Sequence, residues 1–129
     1  MDHRQQLAIG ASLRLFWGAD ATGTFRAMTY FNALDRRQQL TFDALWERFL
    51  ATGIIRPHER LDQFDDGLLL FRSSTHRLVG FTERRDVILI DAFSRRDFPG
   101  RRPKERLEES RQLRLEHLTL QGATDALPT

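Results

Sequence analysis

Two arginines separated by a short polar turn are the residues of this sequence best suited to chemistry. Arg72 ends one predicted strand and Arg77 lies at the start of the next, with a Ser-Ser-Thr turn at 73–75, so the two can face each other across the turn. A guanidinium is planar, always charged and presents a donor fork that suits phosphate. The pair therefore predicts a phosphate contact. The alternative is that Arg72 pairs with Asp91 or another acid inside the sheet.

His76 stands beside Arg77 and is the residue best suited to move a proton. Histidine titrates near neutral pH, so its ring can take up or release a proton there. Neighbouring residues of a strand point to opposite faces, so His76 and Arg77 share a single-faced site only if the strand end is bulged. His58 and His117 are weaker candidates for the same chemistry.

The basic residues are concentrated in one part of the chain. The 129 residues carry a formal net charge of +2, but residues 72–114 hold eleven arginines and Lys104 against seven acids, whereas residues 1–71 hold eight arginines against nine acids. The absence of cysteine excludes a disulfide scaffold, a thiolate metal site and a cysteine nucleophile. No apolar run suits a signal peptide or a transmembrane helix, so we expect a cytoplasmic domain without a membrane partner.

The first half of the chain predicts one strand followed by a helical hairpin. Residues 12–17 alternate apolar and polar side chains, as in a strand. Residues 24–34 and 36–51 each carry apolar side chains at helical spacing, and Asp35 between them is a suitable N-cap. Gly53 is placed to end the second helix.

The second half predicts three short strands and a charged helix. Residues 54–66 are expected to be irregular. Strands are expected at 67–72, 76–81 and 87–93, the last apolar enough to be buried on both faces. A helix is expected at 104–118, with Arg106, Arg111 and Arg114 alternating with glutamates in a salt-bridged solvent face. Residues 122–129 are expected to form a disordered tail.

Together these elements predict an α+β domain in the order β-α-α-β-β-β-α. The three consecutive strands should form an antiparallel meander, and the first strand must re-enter the sheet beside later strands. We therefore expect a small, curved, mainly antiparallel sheet of about four strands with the helical hairpin packed on one face. A single domain should span 1–129, with its core at about 12–118.

Five short motifs, taken in order, resemble the RelE/HigB-like toxins, which are mRNA interferases of type II toxin–antitoxin systems and include phage-derived relatives. Residues 66–68, D-G-L, resemble the entry to the family's first meander strand, and residues 71–79, F-R-S-S-T-H-R-L-V, resemble its central hairpin. Residues 87–92, V-I-L-I-D-A, resemble its apolar strand, and 93–96, F-S-R-R, its Phe-x-Lys-Lys element. Residues 103–108, P-K-E-R-L-E, fill the place of the proline and acidic helix that follow.

The resemblance implies both a fold and an activity. The family's fold is a twisted antiparallel sheet with a helical hairpin, in agreement with the prediction above. Its activity is ribosome-dependent, metal-free cleavage of mRNA in the A site, which inhibits translation, and a cognate antitoxin controls it. The expected partners are thus an antitoxin protein, the ribosome and mRNA, with no cofactor and no metal.

Such cleavage needs a base for the 2′-hydroxyl, stabilisation of the pentacovalent phosphate and an acid for the 5′-oxygen. Arginine suits the second task and histidine the first or the third. The catalytic candidates are therefore Arg77, Arg72, His76 and Arg96. The candidates for RNA binding are Arg95, Arg101, Arg102 and Lys104. For Arg95 and Arg96, which follow a strand end, solvated surface charge is the alternative interpretation.

Two departures from the family pattern keep other functions open. Leu68 and Leu70 stand where RelE has lysines, and the single tyrosine, Tyr30, lies in the first predicted helix and not near the end of the chain. These departures favour a non-catalytic member of the same fold, an interaction or RNA-binding protein of phage or mobile-element origin. The paired arginines and His76 favour the endoribonuclease. A plain single-stranded RNA-binding domain is a third alternative, although aromatic residues at strand spacing are not evident.

Overall fold

The structure, a computed structural model, describes residues 3–56, 59–97 and 103–126. Six strands lie in this part of the chain: β1 (Arg4–Ile9), β2 (Arg14–Gly18), β3 (Leu61–Gln63), β4 (Leu68–Arg72), β5 (His76–Glu83) and β6 (Asp86–Ser94). The α-helices of this part are α1 (Arg26–Asn32), α2 (Arg36–Thr52) and α3 (Pro103–Ala126). A short 3-10 helix, Arg95–Asp97, follows β6.

The helical hairpin of α1 and α2 forms where the sequence predicts it. The Asp35 carboxylate accepts a hydrogen bond from the backbone N–H of Gln38 at 2.8 Å, and the Gln38 side chain accepts one from the Asp35 N–H at 3.3 Å. This capping box satisfies two backbone donors at the start of α2. Gly53 ends α2 in the left-handed conformation, with φ of +69°, which glycine adopts without steric cost. Both predicted caps are confirmed.

The strands form one mixed sheet in the order β1-β2-β6-β5-β4-β3. β2 runs parallel to β6, and the other four pairings are antiparallel. The predicted meander corresponds to β4, β5 and β6, and the first predicted strand, β2, does re-enter the sheet beside a later one. The α+β class and the mainly antiparallel pairing are confirmed.

The expected number of about four strands is wrong, because the described residues form six. β1 begins with the polar run Arg4-Gln5-Gln6, which shows no strand pattern, and it forms by backbone pairing with β2 at one edge of the sheet. β3 has three residues, lies inside the segment 54–66 that was expected to be irregular, and pairs with β4 at the other edge. An edge strand is held by backbone hydrogen bonds to one neighbour. It therefore needs no regular alternation of apolar residues in its own sequence.

Helices cover both faces of the sheet. α1 and α2 pack on one face around an aromatic core whose buried rings are Trp17, Phe31, Phe42, Trp46, Phe49 and Phe71. α3 packs on the opposite face through Leu107 and Leu113. In β6, Val87 and Leu89 belong to the first core, whereas Ile88 and Ile90 belong to the second. The prediction that this strand is buried on both faces is therefore confirmed.

A buried ion pair fixes α3 to the sheet. The β5–β6 pairing shifts register between Val79 and Gly80, which leaves Ile90 of β6 without a partner, and as a result both Ile90 and Asp91 face α3. Arg106 donates to the two carboxylate oxygens of Asp91 at 2.6 and 3.0 Å. The hydroxyl of Ser110 donates to the same carboxylate at 2.7 Å.

The prediction that Arg106 lies on a solvent-exposed face of α3 is wrong, because its side chain is only 9% exposed. The same prediction holds for Arg111, which pairs at the surface with Asp66 and Glu108, each at 2.7 Å. The sequence pattern does not separate the two arginines, because the carboxylate that buries Arg106 belongs to a strand 15 residues away.

α3 continues beyond its expected end at residue 118 to Ala126, so residues 122–126 are helical and not part of a disordered tail. Residues 127–129 lie outside the described residues. None of the described helices combines the length and the apolar character that crossing a bilayer requires.

Candidate nucleic-acid interface

Three arginines lie in a row across one end of the sheet, on the face that carries α3. Arg72 and Arg77 are direct register partners in β4 and β5, so the predicted facing across the turn is confirmed. Their neighbours Phe71 and Leu78 belong to the core under the helical hairpin, and strand alternation therefore turns both arginines to the opposite face. Arg60, directly before β3, extends the row, because its carbonyl accepts a hydrogen bond from the Arg72 N–H at 2.8 Å.

A fourth arginine joins the row from the segment after β6. The backbone N–H of Arg95 donates to the carbonyl of Thr75 at 2.7 Å, which holds this segment against the β4–β5 turn. Burial lowers the pKa of the Arg77 guanidinium, and three positively charged neighbours lower it further. In order of decreasing effect these neighbours are Arg72, Arg95 and Arg60. We call the four residues the arginine cluster. Like charges this close repel one another, and a bound anion would relieve that repulsion.

One carboxylate partly balances the arginine cluster. Arg72 Nε lies 2.7 Å from Asp62 Oδ2, and Arg72 Nη2 donates a long hydrogen bond to Asp62 Oδ1 at 3.5 Å. The sequence offered pairing of Arg72 with an acid inside the sheet as the alternative to a phosphate contact. That pairing is confirmed, and the acid is Asp62. Asp91 is instead occupied by Arg106. For Arg60, Arg77 and Arg95, the described residues contain no carboxylate partner.

Backbone carbonyl groups hold the Arg77 guanidinium in place. Its Nη1 donates to the carbonyl oxygens of Ser73 at 2.7 Å and His76 at 3.0 Å. The turn is itself fixed, since the His76 N–H donates to the Ser73 hydroxyl at 2.9 Å. Within the described residues, Nε and Nη2 of Arg77 make no hydrogen bond and are available to donate to a ligand. A guanidinium held in this way is preorganised for an anion.

His76 lies on the opposite face from Arg77, as strand alternation predicts. The Tyr30 hydroxyl lies 2.6 Å from His76 Nδ1, and the Gln38 amide nitrogen lies 3.0 Å from His76 Nε2. Both ring nitrogens therefore contact the helical hairpin. The β4–β5 pairing runs through Arg72 and Arg77 without a register shift, so no bulge brings the imidazole into the arginine cluster.

Two of the remaining candidates lie in the 3-10 helix and in α3. Arg96 is exposed, and its backbone N–H donates to the Ser94 hydroxyl at 3.2 Å. Lys104 lies in the first turn of α3. Arg101 and Arg102 lie outside the described residues.

Neither of the two other histidine candidates is seen at the arginine cluster. His117 is fully buried between α3 and the sheet, where its Nδ1 donates to the carbonyl of Ala19 and its Nε2 accepts from Arg4 Nε, both at 2.9 Å. Burial lowers the pKa of His117, which favours the neutral ring that accepts from Arg4. His58 lies outside the described residues.

Three residues of this region were missed from the sequence: Arg60, Asp62 and Tyr30. The alternation Arg60-Leu61-Asp62 is the available signal, because it places two charges on one face of a short strand and a buried leucine on the other. For Tyr30 there is no local signal, since its contact with His76 joins residues 46 apart in the sequence.

No group of three or more histidine, aspartate or glutamate side chains within the described residues is arranged to hold a metal ion. Comparisons of the chain with family models, with curated proteins and with solved structures found no match. The functional interpretation therefore depends on the motifs of the sequence and on the geometry of the arginine cluster.

Proposed function

We propose that this chain binds the phosphate backbone of RNA through the arginine cluster. In the setting that the sequence resemblance implies, it is the toxin of a type II toxin–antitoxin system, a cytoplasmic, ribosome-dependent and metal-free mRNA endoribonuclease that inhibits translation. The observation that supports the proposal is the alignment of Arg60, Arg72, Arg77 and Arg95 at one end of the sheet, with Asp62 as the acid paired to them.

The length of the row favours a chain of phosphates over a single anion. Arg60, Arg72 and Arg77 lie on or beside three adjacent strands, and Arg95 follows the fourth. Neighbouring strands are about 4.8 Å apart, so the row extends over roughly 14 Å. This backbone span matches successive phosphates of a single RNA strand better than it matches one phosphate.

In the proposed cleavage reaction, Arg77 stabilises the charge that develops on the pentacovalent phosphate. Its Nε and Nη2 are directed by the two carbonyl groups that hold Nη1, and the neighbouring Arg72 adds a second positive charge. Arg95 and Arg96, with Arg101, Arg102 and Lys104, supply further contacts to RNA.

A second candidate function is RNA binding without cleavage, and the position of His76 favours it. The imidazole lies on the face opposite the arginine cluster, with Tyr30 and Gln38 at its two nitrogens. His76 can transfer a proton to RNA at the cluster only if the turn between β4 and β5 leaves the helical hairpin. A non-catalytic member of the same fold needs no such change.

Mapping mRNA 3′ ends in a translating extract distinguishes these two functions. The endoribonuclease should produce new ends within codons at the ribosomal A site, and Arg77→Ala should abolish them while the protein stays folded. Arg37→Ala, which removes an exposed arginine of α2, is the matched control and should leave the pattern unchanged. Ribosome-associated protein without new ends would support the binding function, and no RNA association at all would contradict both.

We also propose a cognate antitoxin that covers the arginine cluster with an acidic surface. Exposed charges are screened as salt rises, since the Debye length falls from about 10 Å at 0.1 M to about 3 Å at 1 M. Association should therefore slow as salt rises. A pull-down at low salt should retain an acidic protein, and changing Arg95 and Arg96 together to Glu should release it, whereas the same change at Arg36 and Arg37 should not. Retention by both double variants would contradict this surface.

A further inference from the structure

A cleft lined by arginines continues from the arginine cluster toward α2. Its volume is 410 Å³, within the range of small-molecule sites. The residues that line it come from α2, from the segment before β3 and from the end of β4: Thr41, Leu45, Arg48, Arg56, Glu59, Arg60 and Arg72. Since Arg60 and Arg72 belong to both regions, an RNA strand held at the cluster leads directly to this cleft.

The charge of the cleft suits an anionic group. Four arginines line it against the single carboxylate of Glu59. Leu45 is the apolar residue among those that line the cleft, and at 3% exposure it offers a base little surface. A cleft lined by arginines suits a nucleotide, because the phosphate takes the charge and the flat base packs on a guanidinium plane.

Glu59 has an unused capacity to accept hydrogen bonds. Its Oε2 is buried and has no hydrogen-bond partner among the described residues. Its Oε1 lies 3.8 Å from Arg48 Nε, which is too long for a hydrogen bond. A buried carboxylate oxygen without a donor is costly. Because Oε2 has almost no accessible surface, a ligand that brings two adjacent N–H donors would satisfy both oxygens once the Glu59 side chain turns toward the cleft.

We propose that this cleft recognises a guanine nucleotide of the bound RNA, with Glu59 accepting hydrogen bonds from the base and the arginines holding its phosphate. Guanine presents N1–H and the N2 amino group side by side on its Watson–Crick edge, which matches a carboxylate. Adenine and cytosine place a ring acceptor beside the single amino group, and that acceptor repels the carboxylate. This inference rests on the proposed function, since it assigns a base preference to the same RNA-binding region.

Isothermal titration with GMP and AMP tests the inference on the full chain. Wild-type protein should bind GMP more tightly than AMP by about 5-fold to 150-fold, the range expected for one bidentate base contact. Glu59→Gln should bind GMP no more tightly than AMP, because its amide nitrogen cannot accept from guanine but can donate to the ring acceptor of adenine. Arg56→Gln should weaken both nucleotides alike. Glu47→Gln, an exposed acid of α2 outside this cleft, is the matched control and should keep the preference.

Two results would overturn the inference: equal affinity for GMP and AMP in the wild type, or an unchanged preference in a folded Glu59→Gln protein. Failure to bind either nucleotide overturns it as well, even if the arginine cluster still binds RNA, in which case the proposed function survives alone. A GMP preference that requires Glu59, in a protein whose Arg77→Ala variant still binds RNA normally, supports the cleft and contradicts the proposed function.

Discussion

Removal of Arg106 should destabilise the fold far more than removal of its neighbour Arg111. The side chains of Arg106 and Asp91 are 9% and 2% exposed, and two hydrogen bonds join them. Arg106→Met keeps apolar contact with the Phe93 ring but leaves Asp91 as a buried charge with the Ser110 hydroxyl as its remaining donor from α3. Breaking such a pair costs about 3–5 kcal/mol. At roughly 4 °C per kcal/mol for a domain of this size, Tm should fall by about 12–20 °C.

Urea unfolding of three variants measures this effect. Arg111→Met is the matched control, because its ion pair with Asp66 lies at the surface and contributes about 0–1 kcal/mol. Changing Asp91 to Leu together with Arg106→Met removes both charges and should recover most of the lost stability. The reasoning is refuted if Arg106→Met costs no more than Arg111→Met, or if the double variant is no more stable than Arg106→Met.

Three further predictions concern stability. Because burial lowers the pKa of His117 from 6.5, the unfolded chain binds that proton more readily, so stability is complete above about pH 6.5 and should fall below it by at most about 1.4 kcal/mol per pH unit. Urea unfolding at several pH values should show this fall, and His117→Gln should flatten it. Asp35→Ala removes the acceptor of the capping box and should cost about 1 kcal/mol in the same assay, whereas Asp35→Asn should keep most of that stability. Gly80→Ala places a methyl group 2.7 Å from the carbonyl oxygen of Ile88 and should cost about 1–3 kcal/mol, so a loss below about 0.5 kcal/mol would contradict the tight β5–β6 packing.

The elements that were predicted correctly are those marked by local signals in the sequence. Asp35 and Gly53 mark the ends of α2 because capping chemistry depends on the residue at one position. The apolar run of β6 predicts burial on both faces, and the short turn between Arg72 and Arg77 predicts their pairing.

Contacts between distant residues account for what the sequence did not predict. β1 is formed by its pairing with β2 and not by its own polar sequence. The burial of Arg106 depends on a bulge in β6 that turns Asp91 toward α3. Arg60 enters the arginine cluster only because the short β3 pairs with β4. Such features follow from tertiary packing, which overrides weak local patterns.

The salt dependence of single-stranded RNA binding tests the central claim most directly. Fluorescence anisotropy at several salt concentrations gives the slope of log K against log salt, which changes by about 0.7 for each phosphate contact. Arg77→Gln and Arg95→Gln should each weaken binding and reduce the magnitude of the slope by about 0.7. Arg37→Gln, an exposed arginine of α2, should leave the slope unchanged. If both cluster variants keep the wild-type affinity and slope, the arginine cluster does not hold the RNA backbone.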